Sequence, residues 1–139
     1  MSAVTAVPFL DLSTAFKALE AEWLETIRTS GAKGSFILGP QTVEFEKEFA
    51  QYVGVKHAIG VANGTDSLVL SLRALGIGPG DEVITTPWTF FASAESISIV
   101  GATPVFVDIR PDTYCLDPDG IVKRLTSKTR AIMPVHIFG

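Results

Sequence analysis

The sequence predicts an α/β protein in which helices cover both faces of a mainly parallel sheet. From Lys56 onward, short apolar runs of strand length alternate with segments of helical periodicity, the order typical of parallel strands joined by crossover helices. The runs, such as Val105-Phe106-Val107, are continuously apolar, as expected for strands that are buried on both faces. We therefore expect a three-layer α/β/α arrangement with right-handed crossovers.

Two helices are predicted ahead of this alternating region. The first has an N-cap oxygen from Asp11 or Ser13 and ends at Gly31. The second begins at Pro40, where a missing N–H costs nothing, and ends before Gly54, which suits a left-handed residue.

The alternating region contains four predicted strands and three predicted helices. In chain order they are strand 57–62, helix 66–75, strand 82–85, helix 89–100, strand 103–109, helix 117–126 and strand 130–137. We accordingly divide the chain into an N-terminal helical segment, residues 1–54, and the first part of a large α/β domain, residues 55–139.

The composition narrows the functional classes. Hydrophobic residues make up 47% of the 139 residues, charged residues make up 19%, and the net charge is −4. The apolar share excludes a disordered chain, and an acidic balance without a basic patch argues against nucleic acid or an anionic membrane as partner. Cys115 is the one cysteine, and the two histidines show no ligand spacing, so neither disulfides nor a metal site are expected. No apolar run reaches the roughly 18 residues of a membrane span, and we expect a soluble cytoplasmic protein.

The first candidate site lies at the end of the first predicted strand, because ligands of open α/β sheets bind beyond the carboxyl ends of the strands. Gly64, Thr65 and Asp66 follow that strand and open a helix. Free N–H groups at the helix start and the Thr65 hydroxyl form a reasonable phosphate cradle. Capping of the helix by Thr65 or Asp66 is the commoner role for these residue types.

An aromatic cluster follows the next strand. Trp88, Phe90 and Phe91 lie at the ligand edge of the predicted sheet, where a flat ring could stack on one of them; all three could equally belong to the core. A phosphate cradle and an aromatic shelf at neighbouring strand ends together suit a cofactor with one phosphate and one ring.

Three other features remain ambiguous or are excluded. Asp108 and His136 lie at the remaining strand ends, and each could be a polar group satisfied by its loop or a functional residue. The glycines of residues 76–81 follow a helix and precede a strand, the reverse of the dinucleotide fingerprint, so we interpret them as a turn.

Several motifs occur together in a characteristic order and spacing from Leu10 onward. They are Phe36-Ile37-Leu38-Gly39-Pro40, Gly54-Val55-Lys56-His57-Ala58-Ile59, Ala62-Asn63-Gly64-Thr65-Asp66-Ser67-Leu68, residues 74–85, Gly101-Ala102-Thr103-Pro104-Val105-Phe106-Val107-Asp108 and Ala131-Ile132-Met133-Pro134-Val135-His136. In this combination the chain resembles the N-terminal part of a pyridoxal-phosphate-dependent sugar-nucleotide aminotransferase of the DegT/DnrJ type, with the aspartate-aminotransferase fold (fold type I).

The resemblance implies roles for individual residues. Gly64, Thr65 and Asp66 match the family's phosphate-binding turn, in which Thr65 donates its hydroxyl and Asp66 its backbone N–H. Phe90 matches the aromatic residue that stacks on the pyridine ring of pyridoxal 5'-phosphate. Three further residues match stretches near the substrate region, namely Phe36, His136 and Phe138.

The resemblance also implies an activity. It is ping-pong transamination of a keto-sugar nucleotide by a homodimer, usually with L-glutamate as amino donor, in nucleotide-sugar and polysaccharide biosynthesis. The opening residues 7–12 and the loop 36–40 look more like members acting on 3-oxo sugars, although 4-oxo sugars stay open.

The chain departs from the family pattern because the Schiff-base lysine and the carboxylate facing the ring nitrogen have no counterpart here. None of the six lysines matches the motif: Lys17, Lys33, Lys47, Lys56, Lys123 and Lys128. We therefore expect the N-terminal portion of a longer enzyme, inactive alone. A sugar dehydratase of the same family, or a non-catalytic binding or dimerisation fragment, are the alternatives.

Overall fold

The computed structural model describes residues 7–139, so the first six residues of the predicted segment 1–54 lie outside the described part. Contacts divide the chain into two compact units between Gly60 and Val61. Over the described residues the elements are α1 Ser13–Ala32, α2 Pro40–Val53, α3 Gly64–Ala74, β1 Glu82–Thr85, α4 Ala92–Ile99, β2 Thr103–Phe106, α5 Pro118–Arg124 and β3 Thr129–Ile132.

The first unit contains the two predicted helices. The Asp11 carboxylate accepts hydrogen bonds from the backbone N–H and hydroxyl of Ser13, at 2.8 and 2.6 Å. These bonds lower the pKa of Asp11 from its ordinary value. Pro40 opens α2, and Gly54 ends it with φ of +76°, so both predicted boundaries of α2 are confirmed.

The second unit is built on a parallel sheet with strand order β2-β1-β3. Ile84 in the central strand is in register with Val105 of β2 and with Ile132 of β3. Because the strands are parallel, their carboxyl ends meet at one edge of the sheet. The predicted parallel sheet is confirmed.

Side-chain alternation along β1 separates the two faces of this sheet. Val83 packs with Leu72 of α3 and Ile97 of α4 in one apolar cluster. Ile84 packs with Val107 and Leu116 in a second cluster, and Ile121 of α5 lies against it. Helices on both faces confirm the predicted three-layer α/β/α architecture.

The predicted strand 57–62 is wrong. These residues form no strand, and Ile59 is 82% exposed. The backbone N–H of Gly60 donates to the Glu46 side chain at 2.6 Å. An apolar run becomes a buried strand only when a neighbouring strand pairs with it, and the described residues supply none beside this run.

Other predicted elements are correct in kind but too long. The last two strands reach only Phe106 and Ile132, because the central strand with which both pair is four residues long. Pro87 follows soon after β1 and has no N–H for a ladder. Residues 76–81 form the predicted turn, in which the backbone N–H of Gly78 donates to Asp81 Oδ2 at 3.0 Å.

Candidate functional site

Hydrogen bonds lock the carboxyl ends of the three strands together. Val107 donates its N–H to the Thr85 carbonyl, and Met133 donates to the Ile84 carbonyl, at 2.9 and 2.8 Å. The Thr85 hydroxyl donates to the Met133 carbonyl at 3.1 Å. Thr85 and the next residue, Thr86, are fully buried, so this edge forms a firm base for the loops that follow.

The start of α3 is capped by Asn63, which sequence analysis did not identify. Its side-chain oxygen accepts from the backbone N–H of Asp66 at 2.9 Å, and its amide nitrogen donates to the Asp66 carboxylate at 3.0 Å. Capping by Thr65 or Asp66 is therefore wrong. The missed signal was available, since asparagine is among the preferred N-cap residues.

This cap leaves a specific set of donors at the start of α3. The backbone N–H of Asp66 donates a hydrogen bond to the side-chain oxygen of Asn63. The N–H that the resemblance assigns to a phosphate is therefore already used within the chain. Gly64 and Thr65 occupy the first two helical positions, whose N–H groups have no acceptor inside the helix. A Cβ on Gly64 would meet nothing within 4 Å, and Thr65 is half-buried. These N–H groups and the Thr65 hydroxyl suit an anion, which the positive end of the helix dipole also favours.

The loop after β1 presents the three predicted aromatic residues at the same sheet edge. Their exposed fractions are 52% for Trp88, 78% for Phe90 and 71% for Phe91. Burial of all three in the core is therefore wrong. An apolar cavity of about 290 Å³ is lined by Thr86, Pro87, Thr89, Phe90, Phe91, Ala94 and Phe106, and a flat ring could enter it.

A turn after β2 brings further side chains to this edge. The Tyr114 ring lies 6.3 Å from the Trp88 ring and 5.4 Å from the Phe138 ring, measured between centroids. Cys115 Sγ lies 3.8 Å from His136 Nδ1. The structure thus places His136 and Phe138 at the same edge as Phe90. It also adds Tyr114, for which the sequence carries no signal.

Arg110 and Asp112 form an exposed ion pair within this turn. Arg110 Nε and Nη2 donate to the two carboxylate oxygens of Asp112, at 3.1 and 3.0 Å. The hydrogen bond raises the pKa of Arg110 and lowers the pKa of Asp112. Asp108 accepts from the backbone N–H of Ile109 at 2.8 Å, as expected for a residue that satisfies its own loop.

Phe36, the remaining predicted substrate residue, belongs to the first unit. It lies in the loop between α1 and α2 and is 75% exposed. Its ring lies near Gly31, where an added Cβ would come within 3.8 Å of the ring.

The second unit has an open helix start with a nearby hydroxyl at Thr65 and an exposed ring at Phe90, so its residues fit a cofactor that carries one phosphate and one flat heterocycle. It does not supply a lysine at the carboxyl edge. Lys123 lies in the last turn of α5, and Lys128 lies just before β3, on the amino side of the strand.

The described residues, 7–139, contain neither a membrane-spanning helix nor a metal-binding cluster. No helix in this part of the chain has the length and apolar content needed to cross a bilayer. No group of three or more His, Cys, Asp or Glu side chains is placed to hold a metal ion there.

Comparison with known proteins adds a family match and close relatives. Residues 17–139 match the model of the DegT/DnrJ/EryC1/StrS aminotransferase family. The chain is 48% identical to UDP-N-acetyl-3-dehydro-alpha-D-glucosamine 3-aminotransferase of Acidithiobacillus ferrooxidans, over all of this chain and 38% of that protein. It is also 48% identical to dTDP-3-amino-3,4,6-trideoxy-alpha-D-glucose transaminase of Streptomyces venezuelae, over 96% of this chain and 35% of that protein.

The solved structures agree with these matches. The crystal structure of NtdA from Bacillus subtilis with bound cofactor PMP superposes with a TM-score of 0.92 at 37% identity, covering 99% of this chain and 32% of that one. The chain therefore spans a little over a third of the length of the curated relatives it matches.

Proposed function

Because this chain belongs to the DegT/DnrJ/EryC1/StrS aminotransferase family, we propose that the whole protein is a pyridoxal-phosphate-dependent sugar aminotransferase. One observation carries the proposal beyond family membership. The open start of α3, with Thr65 and Gly64, and the exposed ring of Phe90 belong to the same α/β unit. A phosphate and a pyridine ring are the two parts of pyridoxal phosphate that a protein must hold.

The residues of this chain then have binding and positioning roles. Pyridoxal phosphate, when bound, supplies the electron sink that makes nitrogen transfer feasible. The Thr65 hydroxyl and the first N–H groups of α3 bind its phosphate, and a bond from a neutral donor to a charged group contributes about 1.5–3 kcal/mol. Phe90 covers one face of its ring and excludes water from that face. Asn63 keeps the helix start in shape, so that the donors are fixed before the phosphate arrives.

The lysine that carries the cofactor is proposed to lie outside these residues. The carboxyl edge of the second unit receives neither Lys123 nor Lys128. We expect the 139 residues alone to lack transaminase turnover, while still contributing the phosphate cradle and the aromatic shelf to the complete site.

The proposed substrate is a keto-sugar nucleotide, with a 3-oxo group favoured over a 4-oxo group. Relatives named above carry a 3-dehydro or 3-amino sugar in their names, which supports nitrogen transfer to carbon 3. L-glutamate is the proposed amino donor and cytoplasmic nucleotide-sugar biosynthesis the proposed setting. A homodimer accords with the many exposed apolar side chains of this chain, such as Phe9 and Ile37.

The test uses the full-length protein with pyridoxal phosphate, L-glutamate and matched 3-oxo and 4-oxo sugar nucleotides. We expect a visible absorbance band from the bound cofactor. We also expect 2-oxoglutarate and a 3-amino sugar nucleotide as products, and mass spectrometry measures both of them. The 139-residue chain is the matched control and should form neither 2-oxoglutarate nor the amino sugar nucleotide.

Two other results would each favour a different function. Loss of water from the sugar without nitrogen transfer would replace the proposal with a dehydratase. The absence of any cofactor band in the full-length protein would leave only a non-catalytic binding or dimerisation role.

A further inference from the structure

The loop that carries Phe90 is anchored on both sides of that residue. The backbone N–H of Trp88 donates to the hydroxyl of the fully buried Thr86 at 3.1 Å. The Thr89 hydroxyl is hydrogen-bonded to the Ser93 hydroxyl at 2.9 Å, which ties the loop to α4. Phe90 itself remains 78% exposed. The loop is therefore held in place while it presents exposed rings at the sheet edge, of which Phe90 is the most exposed.

A further anchor comes from the turn after β2. The Tyr114 ring lies between Trp88 and Phe138, tilted by 32° to the first and nearly perpendicular, at 89°, to the second. Such offset and edge-on arrangements are the favoured geometries of aromatic pairs. Tyr114 thus connects the segments that follow all three strands.

The backbone at Tyr114 is strained, and neighbouring contacts impose the strain. Its φ is +57°, in the left-handed region that non-glycine residues seldom adopt. The N–H of Tyr114 donates to the Arg110 carbonyl, and the N–H of Arg110 donates to the Cys115 carbonyl, both at 2.9 Å. Ile109 and Leu116 close the turn by an antiparallel bridge. Strain of this kind persists where the surroundings fix the conformation, often near functional sites.

We propose that Tyr114 is a positioning residue for the cofactor ring. By packing against Trp88, it holds the 86–91 loop in the conformation that presents Phe90 to the pyridine face. The inference rests on the proposed function and deepens it. Its physical basis is that a ring in direct contact with the cofactor is effective only when neighbouring side chains hold it in place.

The test compares three variants of the full-length protein. Tyr114→Gly removes the ring and also relieves the left-handed strain, so the fold should be retained. Tyr114→Phe keeps the ring and removes only the hydroxyl. Tyr52→Ala, at an 88% exposed tyrosine of α2, is the matched control.

The readouts are the dissociation constant for pyridoxal phosphate, the circular dichroism of the bound cofactor's visible band, and the melting temperature. Tyr114→Gly should weaken cofactor binding about two- to twelvefold, the range of one aromatic stacking contact. It should also reduce the cofactor dichroism, while the melting temperature changes little. Tyr114→Phe and Tyr52→Ala should both match the wild type.

The outcomes separate this inference from the proposed function. A wild-type protein that binds no pyridoxal phosphate would overturn both. If the wild type binds and transaminates, but Tyr114→Gly keeps the same affinity and dichroism, only the role of Tyr114 falls. A loss confined to the melting temperature would likewise make Tyr114 a stabilising residue and overturn the positioning role.

Discussion

The two units of the chain use similar apolar side chains with opposite results. In the first unit, no residue of α1 is buried, and only Ala50 is buried in α2. In the second unit, two apolar clusters cover the faces of β1, and Val83, Ile84 and Ile97 are completely buried. The comparison teaches that an amphipathic helix acquires a core only when other elements cover its apolar face.

The largest expected difference between the units concerns single apolar side chains. Ile97→Ala should lower the free energy of unfolding of the 139-residue chain by about 2–5 kcal/mol, because it leaves a cavity beneath the sheet. Leu24→Ala in α1, at a side chain that is 59% exposed, should change it by less than about 0.5 kcal/mol. Urea unfolding of both variants measures the two values, and equal losses would abolish the distinction between the units.

A smaller effect is expected at the helix starts. Asn63→Ala should cost about 1 kcal/mol, because it removes the side-chain cap of α3. The first unit offers the control, since Gly39 provides no side-chain cap to α2. A Cβ on Gly39 would come within 2.7 Å of the Ser35 side chain, so the control variant is Thr42→Ala in the first turn of α2. If thermal unfolding shows no loss for Asn63→Ala, the hydrogen bond at 2.9 Å does not stabilise the helix.

A gain in stability is expected in the first unit. Leu38 has φ of +47°, a conformation that costs a non-glycine residue about 1–2 kcal/mol. Glycine removes this cost, but it also makes the unfolded chain more flexible, which lowers the stability by about 0.4–1 kcal/mol. Leu38→Gly should therefore raise the melting temperature slightly, and a clear decrease would show that the exposed leucine side chain stabilises the loop.

The smallest effect is expected for the exposed ion pair of the second unit. The hydrogen bond from Arg110 lowers the pKa of Asp112 in the folded chain. The pair therefore stabilises the fold at every pH above the pKa that Asp112 has in the unfolded chain. This contribution is lost as the pH falls through the lower pKa of the folded chain. Asp112→Asn should flatten that part of the pH dependence of unfolding. An unchanged profile would show that the pair contributes nothing measurable, as for many surface pairs.

The sheet could be predicted from the sequence because the features that indicate its strands and helices are local. Continuous apolar runs and helix-breaking glycines mark β1, α2 and their boundaries without knowledge of partners. The run 57–62 failed because strand formation depends on a neighbouring strand. The contacts of Tyr114 could not be predicted either, because nothing local distinguishes a left-handed tyrosine from an extended one.

The candidate site also contains residues that could be predicted from the sequence and one that was missed. Phe90 was predicted from its position after β1 and from the family resemblance. For Gly64 and Thr65 the strand predicted ahead of them is absent, so their predicted role rests on the helix start and on the resemblance. Asn63 was missed although its residue type is a known cap, because Thr65 and Asp66 offered the same chemistry nearby. The use of the Asp66 N–H by Asn63 is a local capping bond between residues three apart, and it removes one donor that the resemblance assigns to the phosphate.

The most direct test of the central claim is the affinity of the full-length protein for pyridoxal phosphate after Thr65→Ala. The matched control is Thr42→Ala, which alters a threonine in the first turn of α2. Loss of a hydrogen bond to a charged phosphate should raise the dissociation constant of Thr65→Ala by about 12- to 160-fold, while Thr42→Ala should bind like the wild type. An unchanged affinity for Thr65→Ala would contradict the phosphate cradle at the start of α3.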